Sequence, residues 1–169
     1  MKNVVNSKAV LSVASLLALA LMPQMALGQD KPPAKEPANV KYTRMAWDAL
    51  EKGDFDGAIK NAKVVIDDFA PDADADQEKL KKSHAPEPPL GPAANKKEEQ
   101  DTLRRGPLND VATCYWIMGQ AYQKKGDATQ EKAAYQAGAK YTYARTWDPD
   151  QRIFWSPADK AAARLKKPR

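Results

Sequence analysis

One histidine, one cysteine and a run of aspartates are the residues of this chain whose types could do chemistry. His84 stands in a proline-rich stretch, whereas Cys114 lies in an apolar helical run. A cysteine or serine nucleophile needs its base within hydrogen-bond reach in a held geometry, and these surroundings do not suggest one. Cys114 is therefore expected as a small buried hydrophobe, the alternative being a free thiol for redox exchange or an intermolecular bond. Asp72, Asp74 and Asp76 imitate the opening of a calcium loop, but Gln77 and Ser83 occupy the places that need Gly and Glu. They are expected instead as negative charge at a helix start, where the helix dipole favours it. No Cys or His cluster has metal-ligand spacing, and neither a phosphate loop nor Gly-x-Ser-x-Gly is present. Carboxylates are plentiful enough for a glycosidase pair, yet no two are marked out by position. The expectation is a protein with no catalytic residue, no metal and no cofactor.

The aromatic residues carry more. Tyr141, Tyr143, Trp147, Phe154 and Trp155 crowd one short stretch, and Trp116 and Tyr122 lie upstream. Packed inward, they would seal the end of a helical domain. Turned outward, they would stack on sugar rings or grip a peptide. Trp116 follows Tyr115, about 100° round a helix, so the two cannot share one face. Trp116, Tyr122, Trp147, Phe154 and Trp155 are the candidate partner- or ligand-binding residues.

Helices must position them. Tyr42, Met45, Ala46, Ala49 and Leu50 recur at helical spacing, and Phe55, Ala58, Ile59, Ala62, Val65, Ile66 and Phe69 mark a second helix face ending before Pro71. Leu108, Val111, Tyr115, Met118, Gly119 and Tyr122 mark a third, and Ala133, Ala134, Tyr135 and Ala137 a fourth. Lys52-Gly53-Asp54 and Lys125-Gly126-Asp127 punctuate the two pairs identically, with Gly to stop one helix and Asp to cap the next. Between the pairs, the segment 72–107 reads as a polar, proline-rich excursion, with short helices near Asp74–Ser83 and Ala93–Arg105 and a stiff extended joint at Ala85–Pro92. Ser156-Pro157-Ala158-Asp159 opens a last helix.

The first 28 residues read as a cleaved signal peptide: Lys2 and Lys8, an uncharged apolar run from Ala9 to Met22, then Ala26-Leu27-Gly28. The run is short for a membrane span of about 20 residues. A flexible leader is expected at 29–39 and a helical domain at 40–169. The formal charge is +5, of which Lys2 and Lys8 supply two units. That excess is mild, and with export it argues against nucleic acid. The last thirty residues are more basic, which would suit an anionic envelope surface.

Tyr115, Met118, Gly119 and Tyr122, followed by Tyr135 and Gly138, resemble the tetratricopeptide repeat family. Glu131 stands where that pattern has alanine, and no proline closes the unit. Tyr42, Met45, Ala46 and Ala49 fit an earlier unit more loosely, with Ala58 in register. Leu108–Trp116 and the stretch from Tyr143-Ala144-Arg145 to Trp155-Ser156-Pro157 are similar to small exported bacterial proteins of this type. The resemblance implies an all-α fold of helix-turn-helix units, at about 40–71 and 108–141, with an aromatic C-terminal cap at 142–169. It implies a groove for a protein or peptide partner. The expected function is an exported, periplasmic or secreted interaction module. The second reading is an envelope or polysaccharide-binding module, and the third a small hydrolase.

Overall fold

The two Lys-Gly-Asp tripeptides fold into the same turn, and that turn organises the computed structural model, which describes residues 35–167. Gly53 and Gly126 have φ of 77° and 76°, a left-handed conformation that glycine adopts without steric cost. Each glycine N–H bonds back to the carbonyl of Leu50 or Gln123, at 3.1 Å in both turns. The following aspartate N–H reaches Ala49 or Tyr122, at 2.9 and 3.0 Å. These bonds satisfy the last carbonyls of the outgoing helix. Asp54 and Asp127 then accept from the N–H of Gly57 and Gln130, at 2.9 and 3.0 Å, capping the incoming helix. The result is two helix hairpins, α1 (Ala38–Glu51) with α2 (Phe55–Lys82) and, after the short α3 (Lys96–Leu103), α4 (Gly106–Lys125) with α5 (Ala128–Gly138).

The stacking direction can be read from side-chain bonds. Asn39 meets Asp110 and Thr43 meets Cys114, each pair 71 residues apart. Register therefore advances equally along α1 and α4, and the two run parallel. Lys125 at the end of α4 pairs with Asp56 at the start of α2, which makes those two helices antiparallel. A β-hairpin, β1 (Thr146–Asp148) and β2 (Ile153–Trp155), leads into α6 (Pro157–Leu165). α6 packs on α5 and α4 as α4 packs on α2 and α1. Helices α1, α4 and α6 thus form one row, and α2 and α5 lie beside it without comparable contact to each other.

The core lies where α4 meets α2 and α1. Ala46, Ala58, Ala62, Val65, Leu108, Val111, Ala112 and Ile117 are fully buried there, joined by Tyr141 and Ala144. Alanines at the crossing let the helices approach closely, and each large aliphatic contributes about 1.5–3 kcal/mol.

Two expectations need correction. α2 does not stop before Pro71 but runs through it to Lys82, absorbing the expected separate helix at Asp74–Ser83. Proline removes one intrahelical bond, but Asp67 and Pro71 both face solvent, and burial of Ala73 and Gln77 secures the continuation. α1 begins at Ala38, inside the expected leader, because Asn39 is drawn into contact with α4. The aromatic stretch before the expected last helix forms a β-hairpin that the sequence reading did not foresee: Trp147 pairs with Phe154 there, while Ser156 caps α6 as expected, accepting from Asp159 N–H at 3.0 Å. The described residues are otherwise mostly helical, in keeping with an all-α class. The expected signal peptide and most of the leader lie outside the described residues.

The proline-rich stretch sits outside the helical stack yet is tied to it. Gly91 exchanges two backbone bonds with Phe154, at 2.8 and 2.7 Å. Arg145, 4 % exposed, donates through Nε to Pro88 O at 2.8 Å and through Nη1 to Thr142 O and Ala144 O at 2.8 and 2.7 Å. Gln77 bonds Thr142 Oγ1 and accepts from Tyr143 N–H. One short segment after α5 therefore holds both the end of α2 and the extended joint.

Candidate functional site

The groups with the most reactive chemistry are placed where they do little. Cys114 is buried, its thiol 3.4 Å from Thr43 Oγ1, and burial pushes its pKa up to about 12. A thiol held that far above neutrality forms almost no thiolate. His84 is exposed in the turn after α2, with φ of 50°. Asp72, Asp74 and Asp76 lie inside α2, so they do not open a helix as expected. Asp74 instead pairs with Lys140 at 3.0 Å. Among the described residues, no group of three or more His, Cys, Asp or Glu side chains could hold a metal ion.

The aromatic candidates divide by burial. Phe154 is 1 % exposed and Trp116 8 %, so both belong to the packed interior. Tyr122, Trp147 and Trp155 are half-buried. Trp147 lies against Phe154 with centroids 4.8 Å apart, and Trp116 packs on Tyr135 at 5.3 Å and edge-on to Trp155 at 6.0 Å. Such pairs add to stability beyond the area they bury. The structure therefore does not bring the five together as one exposed platform.

It does bring three tryptophans onto the row of α1, α4 and α6. Trp47 of α1 and Trp155 at the end of β2, just before α6, both pack against the cluster of Trp116, Tyr135 and Ala161. Lys160 Nζ stands 5.3 Å over the Trp155 ring and the Arg164 guanidinium 5.9 Å over Trp116. Half-buried indole edges beside fixed cations can engage a polar, partly apolar surface such as a peptide. Trp47 was not among the sequence candidates. Its contact with the Trp116 cluster joins two helices far apart in sequence, so no local spacing marked it.

Two polar arrangements were also illegible. Asp110, the acceptor of the 2.6 Å bond from Asn39, has its pKa raised by burial to about 6, against the lowering effect of the Asn39 and Thr43 bonds. Arg105 and Arg145 are both depressed by burial, and Arg105 further by its neighbour Arg145. Neither set could be found from local spacing, since each partner comes from a distant element.

Compared with family models, curated proteins and solved structures, the chain has no match.

Proposed function

We propose that this chain is an exported interaction module of tetratricopeptide type that docks a protein or peptide partner along the row of α1, α4 and α6. The observation that carries the reading is the parallel run of α1 and α4 at a constant 71-residue offset. Together with the two matched Gly-Asp turns, it supports reading the two helix hairpins as stacked repeats of this type. Trp47 and Trp155, which pack over the buried Trp116, then supply the anchors, and Lys160 and Arg164 the charge beside them. No catalytic role is assigned to any residue. The export proposal rests on the first 28 residues and is checked by the mass of the exported chain, which should begin at Gln29.

Photocrosslinking in cells tests the docking face. A photoreactive residue at Trp47 or Trp155 should capture a discrete protein, while one at the exposed Lys60 of α2 should not. Equal capture from Lys60 would refute the assignment of the face. If no protein is captured and the chain stays with the cell-wall fraction, the polysaccharide reading takes its place. That second reading draws on the half-buried Trp147 and Trp155 and on Lys160 above the latter. The hydrolase reading has no observation in its favour.

A further inference from the structure

We infer that the notch between α5 and α6 is a second docking site, one that takes an acidic peptide segment. α6 has 9 residues and α5 has 11, and α6 ends at Leu165, leaving the first turns of α5 uncovered on that side. The space is about 920 Å³, within the range of ligand-binding clefts. Among the described residues, Lys132 of α5, Arg164 of α6 and Lys167 line it, against the carboxylate of Glu131. This excess of cations among the described lining residues favours an anionic occupant, by attraction and by rejection of basic competitors. Leu165, 37 % exposed, and the alanines of α5 give the walls apolar surface for the stem of a peptide side chain.

Tyr135 supplies an independent observation. It is 1 % exposed and lines the notch, and its hydroxyl has no hydrogen-bond partner among the described residues. Buried polar groups are nearly always paired. Burial lifts this phenol to about 12, so it keeps its proton and remains a donor, which suits a carboxylate arriving beside it. Arg164 also touches the Trp116 ring, so an occupant that draws the guanidinium away changes the surroundings of an indole. The site shares Arg164 with the docking face proposed above, but Lys132 belongs to the notch alone, so Lys132→Gln tests the notch separately.

The test is a titration of the purified full chain with an end-blocked hexaglutamate peptide, followed by tryptophan emission, with hexalysine as the control. Saturable binding of hexaglutamate alone is expected, weakening as salt rises. Lys132→Gln, an exposed change, and Lys132→Gln with Arg164→Gln should lower affinity stepwise, by about 10-fold or more for the pair. Unchanged thermal midpoints would separate this loss from unfolding, and Lys60→Gln should bind as the parent does. Equal binding of hexalysine, no saturation by hexaglutamate, or full affinity in the folded double variant would overturn the assignment.

Discussion

Asn39 Nδ2 donates to Asp110 Oδ2 at 2.6 Å, and one helical turn further along both helices Thr43 faces Cys114 at 3.4 Å. This polar ladder joins α1 to α4 in an otherwise apolar stack. It also places a carboxyl where burial favours its neutral form, at a pKa of about 6. The folded state then binds a proton more tightly than the unfolded chain, whose aspartate titrates near the ordinary value. Asp110 therefore costs stability when ionised, above about pH 6, and that cost is relieved as pH falls from 6 toward 4.

Asp110→Asn should remove that dependence while keeping an acceptor for Asn39. The expected result is a gain of about 1 kcal/mol or more at pH 8, with a flatter stability profile between pH 4 and 6. Urea denaturation at a series of pH values measures it. A lower stability at pH 8 would mean that ionised Asp110 is held favourably.

Gly119 is in contact with the ring of Tyr135 across the α4–α5 crossing. A Cβ at Gly119 would come closer than 3.0 Å to three ring carbons, and that ring is held by Trp116. Gly119→Leu should cost at least about 1–3 kcal/mol through overpacking. Combined with Tyr135→Ala, its cost should shrink, because neighbouring sites couple. Strict additivity in a double-mutant cycle would place the strain elsewhere.

Arg145→Ala should free the extended joint. Three carbonyls lose their donor, those of Pro88 and Ala144 in buried bonds and that of Thr142 in a part-buried one; a buried group left unsatisfied costs about 1–3 kcal/mol, though water entering the gap offsets part of this. A net loss of about 2–4 kcal/mol is expected. Hydrogen exchange should accelerate at Gly91 and Phe154, whose amides bond each other's carbonyls, before it does in α4. Uniform acceleration would show that the joint is not a separate unit.

Cys114 should resist alkylation in the native protein at pH 8, with a thiol pKa near 12. Labelling by iodoacetamide should follow unfolding by denaturant. Rapid labelling of the native protein would contradict the packing of α1 on α4.

What could be read from the sequence was local. A glycine with positive φ followed by a capping aspartate is a signal three residues long, so both turns and the helices beside them were visible. So was Ser156 before Pro157. Pro71 misled because a proline normally ends a helix, and only the distant packing of Ala73 and Gln77 overrides it. The hairpin strands have 3 residues each, too short for alternation to register. Arg145 looked like one more basic residue of the tail, since its partners Pro88 and Asn109 lie far away in sequence. The notch was invisible for a similar reason, because its cations converge only once α6 has stopped short along α5.

The clamp at Arg145 has a consequence for a chain that emerges from its N-terminus. Pro88 precedes Arg145 by 57 residues, so α1 and α2 can pair while the joint after them still has nothing to hold it. The extended joint around Pro88 and Gly91 waits for the stretch after α5. Vectorial synthesis or export would thus leave a loose middle that closes last, like a belt fastened after the garment is on. A stalled chain ending before Tyr141 would expose that middle to proteases while its first helix hairpin is already formed.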